Sequence, residues 1–319
     1  MSDIFTDAPE LDELRPRLHS DDSVVRRLAL IELAELDDET TLEFFLDALT
    51  RDEAAEVRLQ AAQSLAAWDL PIVAAGLCQA LTDADASVRD AAAQSLSEFK
   101  LRASGLVMLP WASHAEPAVQ AQALRALREQ RLPESFTPAL AALHHSNATV
   151  RREAVGVIGW LRRGEALPVL AGLASNDAEP EVRRAAAGAL GYATDGSALP
   201  ALLTALGDPT WQVREAAAQT LGKLKYTDAA APLITALDDG YWQVRLQAAR
   251  SLGKLRARAA LTALSVTLSH SISNLRKEAA LALGEIGDVT ARGVLTSALQ
   301  DGDPEVRKAA RIALGQLDA

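Results

Sequence analysis

Apolar and small residues recur along this chain in a register of 31 or 32 positions. The marker is a Val-Arg pair or a close relative: Val25-Arg26, Val57-Arg58, Val88-Arg89, Val119-Gln120, Val150-Arg151, Val182-Arg183, Val213-Arg214, Val244-Arg245, Leu275-Arg276 and Val306-Arg307. Four residues after the marker every unit has Ala, from Ala29 to Ala310, and eight residues after it stands Leu, or Ile158 in the fifth unit. These positions share one stripe of a helix, and a strictly small residue within the stripe lets a neighbouring helix come close. The pattern predicts the second helix of a pair. Upstream, Leu14 and Leu18, Leu77 and Leu81, Leu202 and Leu206, and Leu233 and Leu237 predict a shorter first helix. Between the two lie turns such as DADAS, GDPT and DGDPE, which supply N-caps and first-turn prolines.

A two-helix unit cannot bury its own apolar stripe, so the pairs must stack. The expected fold is all-α, an α-solenoid in which about ten helix pairs wind as a right-handed superhelix, with residues 1–319 as a single repeat domain. The first four units have Ala34, Ala66, Ser97 and Arg128 where later ones have glycine, which separates acidic, degenerate repeats (1–135) from regular ones (136–319). The softest stretch is expected at 99–135. There Lys100 to Gly105 breaks the turn pattern, Gln120 replaces the marker Arg, and Gln130 takes a place usually filled by Leu or Ile.

Composition agrees with this reading and narrows it. Hydrophobic residues at 49% exclude disorder, and aromatics at 4% are too few for a β-sandwich. The single cysteine, Cys78, excludes a disulfide framework, a cysteine-clustered zinc site and a two-cysteine redox motif, and reads as a core residue. The first residues have neither a basic start nor an apolar run, and no window is apolar enough to span a bilayer, so a cytoplasmic protein without a membrane partner is expected. Net charge is −11, with residues 1–100 at net −14 and residues 101–319 at net +3. That balance disfavours nucleic acid. The arginine column that follows each marker Val, with acids nearby, predicts an intramolecular ladder instead.

The segments DPTWQVREAAAQTLGKL (208–224), DDGYWQVRLQAARSLGKL (238–255) and DGDPEVRKAARIALGQL (301–317) resemble HEAT repeats of the phycobilisome-lyase type, and the resemblance runs the whole length. It implies the stacked fold. It leaves function open, because bilin lyases, deoxyhypusine hydroxylases, HEAT-like DNA glycosylases and pure scaffolds share the repeat. Deoxyhypusine hydroxylases carry repeated His-Glu dipeptides for their iron, and none occurs here. The five histidines, His19, His114, His144, His145 and His270, fall in the turns, where they are expected to face the carbonyl end of the first helix.

In a solenoid the exposed positions of the second helix vary while the core is fixed. Across repeats five to eight these positions give Arg152 and Trp160, Arg184 and Tyr192, Trp211 and Lys223, then Tyr241, Trp242, Leu246, Arg250 and Lys254. Trp, Tyr and Arg are the usual anchors of interfaces. The expected function is that of a non-enzymatic scaffold, adaptor or maturation chaperone holding a protein or peptide in a concave groove, with no catalytic residue, metal or cofactor assigned. The alternative is a bilin-lyase-like attachment factor, in which Arg184, Lys223, Arg250 or Lys254 would pair with the propionates of a tetrapyrrole.

Overall fold

The computed structural model describes residues 9–318. Among the described residues the regular structure is helical throughout, twenty α-helices joined by short 3-10 turns, with no strand. Contacts divide the chain after Leu161 into two units. In the first, α1 (Pro9–Leu18) pairs with α2 (Ser23–Glu35), α3 (Leu42–Arg51) with α4 (Ala55–Ser64), α5 (Pro71–Ala80) with α6 (Ala86–Glu98), α7 (Arg102–Met108) with α8 (Pro117–Leu127), and α9 (Phe136–Ala142) with α10 (Ala148–Leu161). In the second, α11 (Leu167–Asn176) pairs with α12 (Pro180–Ala189), α13 (Leu199–Leu206) with α14 (Trp211–Leu224), α15 (Ala230–Thr235) with α16 (Trp242–Lys254), α17 (Leu261–Thr267) with α18 (Ser273–Ile286), and α19 (Arg292–Ala298) with α20 (Pro304–Leu317).

Within each unit the second helices stack directly on one another, α2 through α10 in the first and α12 through α20 in the second. Each unit is thus a short α-solenoid. The alanine column lies at the contact and is fully buried, from Ala29 to Ala310, with the Leu column beside it buried from Leu33 to Leu283. Burial of each Leu contributes about 1.5–3 kcal/mol, and the alanines set how close the backbones come. Serines add a polar stitch: Ser95 Oγ donates to the Ala62 carbonyl at 3.0 Å and Ser251 Oγ to that of Ala218 at 2.7 Å, each crossing to the preceding second helix.

The arginine column makes the expected ladder. Arg214 Nε and Nη2 fork onto Asp239 of the next repeat at 2.7 and 2.8 Å, while Nη1 donates to the carbonyls of Asp208 and Pro209 at 2.8 and 3.1 Å. Arg26 with Asp52, Arg58 with Asp83, Arg183 with Asp208 and Arg276 with Asp301 repeat the fork. Asp239 Oδ1 also accepts the backbone N–H of Tyr241 at 2.8 Å, so each rung holds a turn as well as a neighbour. These guanidinium groups are engaged inside the fold and are unavailable to phosphates.

The turn histidines follow this scheme rather than the one expected of them. Nδ1 of His114, His145 and His270 accepts the N–H two residues on, at 3.1, 2.9 and 3.0 Å, the same bond that Asp239 makes. The orphan donor of the turn decides the matter, because a neutral imidazole nitrogen can accept where a carboxylate otherwise would. His19, one position earlier, does meet a carbonyl, that of Arg15 at 2.9 Å.

In six of the ten repeats the residue twelve past the marker, shortly after the second helix ends, is left-handed. Asp37, Arg131, Arg162, Lys225 and Arg256 have φ between 48° and 55°, and Gly287 has 73°. For a residue with a Cβ this conformation costs about 1–2 kcal/mol. Attraction of a cation to the carbonyl end of its helix returns about 0.3–1 kcal/mol.

In the stretch 99–135, Asp69 of the preceding repeat accepts the N–H groups of Lys100 and Leu101 at 2.5 and 2.6 Å, replacing the usual turn. Ser104 Oγ and Gln130 Oε1 are buried there without a hydrogen-bond partner.

Candidate functional site

Two equivalent helix starts carry three of the five aromatic residues of the second unit. Trp211 opens α14 and its ring stacks on Tyr241, with centroids 5.5 Å apart and planes at 15°. The Arg214 guanidinium, fixed by its rung to Asp239, lies 5.7 Å from the Tyr241 centroid. The ladder therefore orients this aromatic pair. Trp242 opens α16 and stays 40% exposed. Leu246 and Arg250 follow it at intervals of one helical turn, so the three share a stripe.

That stripe forms the floor of a cavity of about 270 Å³, whose walls include Glu215, Lys277 and Glu278. Arg250 crosses it to fork onto Glu278 at 3.1 and 2.7 Å, and Glu278 is itself buried. Hydrogen bonding to Glu278 pushes the Arg250 guanidinium further up. An apolar floor beside a fixed ion pair suits an apolar side chain whose neighbours carry hydrogen-bonding groups.

The remaining expected residues lie elsewhere. Lys223 lies across Gly191, and Arg184 pairs with Glu181 on its own helix at 2.8 Å. Tyr192 is half-buried, donates to the Arg163 carbonyl at 2.9 Å, and has its hydroxyl pushed up to about 12 by burial and by Glu165. Lys254 faces a different cavity at the far end of α16. In the first unit Trp160 is covered on one face by Arg131, 4.3 Å from its ring centroid, and Arg152 pairs with Glu153 at 2.6 Å. The structure thus gathers Trp211 with Tyr241, and Trp242 with Leu246 and Arg250. Glu215, Asn274, Lys277 and Glu278, which complete the cavity, escaped the sequence reading. Their signal was present, since they occupy the same register positions, three of them one repeat further on.

Among the described residues no group of three or more His, Cys, Asp or Glu side chains is placed to hold a metal ion. Cys78 is buried in the core, and burial pushes its thiol up to about 12, so it is no nucleophile. Among the described residues no helix is long and apolar enough to cross a membrane.

The profile of HEAT repeats matches residues 11–97, 106–190, 172–240 and 230–315. No curated protein matches the sequence. The Escherichia coli protein YibA is similar in structure, with a TM-score of 0.62 and 21% identity over 84% of this chain and 98% of that one. A chain from the complex of Kap95p with RanGDP gives 0.67 and 14% over 96% of this chain and 49% of the other. The phycocyanin lyase CpcE and CpcF of a Nostoc species gives 0.47 and 28% over 58% of this chain and 77% of that one.

Proposed function

The chain belongs to the HEAT-repeat family, and from that premise we propose that it is a non-enzymatic scaffold or adaptor, of the maturation-chaperone kind, that holds a partner protein against its second helices. The carrying observation is the stripe of exposed Trp242 and half-buried Leu246 and Arg250 over its cavity, beside the stacked Trp211 and Tyr241. Core packing has no need of these side chains there, since the Val, Ala and Leu columns already fill the helix contacts. Large aromatic residues and arginine at such positions are what interfaces use as anchors. In residues 162–319 the second helices contact one another along the whole stack, and a partner entering on their side would meet a continuous row of them. Kap95p, which shares the fold, binds a protein as well.

Replacing Trp211 and Trp242 together by alanine is expected to weaken partner capture by at least about thirtyfold, from about 2 kcal/mol for an interface anchor. The measurement is quantitative co-purification with tagged wild-type and variant protein, with helical circular dichroism recorded on both. Undiminished capture by a variant of normal helicity would contradict the reading.

A further inference from the structure

At the carboxyl ends of α14, α16, α18 and α20 a cavity of about 620 Å³ opens. Its walls carry three cations, Lys225, Lys254 and Arg256, against one carboxylate, Glu285. Among the described residues none of these cations enters a salt bridge, although arginines elsewhere in the chain are paired repeatedly. Lys254 and Arg256 act at longer range on Glu285, and three cations against that one carboxylate leave the cavity with net positive charge. Lys225 and Arg256 also keep a left-handed backbone that glycine adopts without strain, as Gly287 does at the same register position one repeat later. Attraction to the helix carbonyls offsets only part of that strain. Glu285 lies over Gly253, where a Cβ would come within 2.7 Å of its carboxylate, and burial pushes that carboxyl up.

One helix joins this cavity to the candidate site. Trp242 begins α16 and Lys254 ends it, a distance of about 18 Å at 1.5 Å per residue. An extended chain covers that distance in about five or six residues.

We infer that the basic cavity takes acidic side chains of the same partner segment whose apolar residue enters the Trp242–Leu246 cavity. The partner would then carry an apolar residue and, about five residues away, a pair of aspartates or glutamates. Glu285 and Gln316 would bond the amides of its backbone. The inference rests on the reading of the second helices as the docking face and adds the chemistry of the partner.

The test uses the full chain and two fluorescein-labelled synthetic peptides followed by anisotropy. Each has a leucine and, about five residues on, a pair of glutamates in one peptide and of lysines in the other. The glutamate peptide is expected to bind about tenfold more tightly. The variant Lys225→Gly/Arg256→Gly is expected to lose about tenfold for it, equivalent to about 1.4 kcal/mol, with no loss for the lysine peptide. Glycine suits both backbone positions, so the variant should melt no lower than wild type, which separates lost charge from lost fold. Equal binding of the two peptides, or a glutamate peptide indifferent to the variant, would overturn the inference. So would succinate displacing the glutamate peptide at matched concentration, because the cavity would then hold a small anion rather than a segment. If the peptides fail while Trp211→Ala/Trp242→Ala still abolishes capture, the docking face stands and its acidic complement falls.

Discussion

Replacing Arg214 by alanine is expected to lower the stability of the second unit by about 3 kcal/mol, the usual cost of breaking a largely buried ion pair from one side. The side chains of Arg214 and Asp239 retain 15% and 11% of their exposure, and the substitution removes the fork onto Asp239 together with the bonds to the carbonyls of Asp208 and Pro209. Asp239 would be left holding its turn without its fork partner, with only the more distant charge of Arg245 acting on it. Acid should remove the ion-pair part of the difference. Hydrogen bonds from Arg214 hold the Asp239 carboxyl below its ordinary value. A depressed carboxyl stabilises the fold fully above the unfolded value of about 3.9, and that contribution disappears as pH falls through the folded value. Urea midpoints at neutral pH should therefore separate variant from wild type widely, and midpoints well below pH 4 should narrow the gap to what the two carbonyl bonds contribute. A gap undiminished in acid would mean that Arg214 acts through its carbonyl bonds and packing and not through the ion pair.

The second large effect comes from glycine. Alanine is the better helix former by about 1 kcal/mol, yet Gly284→Ala is expected to destabilise by about 1–2 kcal/mol net, because overpacking a close contact costs about 2–3 kcal/mol. A Cβ at Gly284 would stand 2.6 Å from the Cα of Ala313 and 2.7 Å from its Cβ, so α18 and α20 would have to part. Gly172, on the exposed face of α11, has nothing within 4 Å of such a Cβ. There the same substitution is expected to stabilise by about 0.5–1 kcal/mol. Thermal melts of the two variants should move in opposite directions, and a rise for both would deny the tight contact.

Gly284 also marks how far the sequence could be read. That glycine follows the Leu column in every unit from Gly159 onward is plain in the sequence, but its partner is not, because contact between second helices depends on how the pairs tilt. The alanine, valine and leucine columns were legible for a simpler reason: each recurs at helical spacing, and a strictly small residue has one obvious use. The Arg–Asp ladder was legible from its register. Three turn histidines, His114, His145 and His270, depart from the expectation, since residue type suggested the carbonyl end of a helix, whereas geometry offered an unpaired N–H; His19 follows it. Trp211 illustrates a third case. Its register position marks it as exposed, but the stacking on Tyr241 that half-covers it depends on the turn that Asp239 and Arg214 hold in place. The basic residues at the left-handed helix ends, Lys225 and Arg256 among them, formed a column that could have been noticed, but not as the wall of a cavity, which needs four helix ends in space.

Hydroxyl-radical footprinting of the isolated protein and of its purified complex with the captured partner addresses the docking face directly. Oxidation of Tyr241, Trp242 and Leu246 is expected to fall on binding, while Val266, 71% exposed on the first helix α17, and Val289, 64% exposed in the turn before α19, keep their rates. The reverse pattern, with Val266 and Val289 protected and the α16 stripe still oxidised at its free rate, would place the partner on the first helices and contradict the reading of the second helices as the binding face.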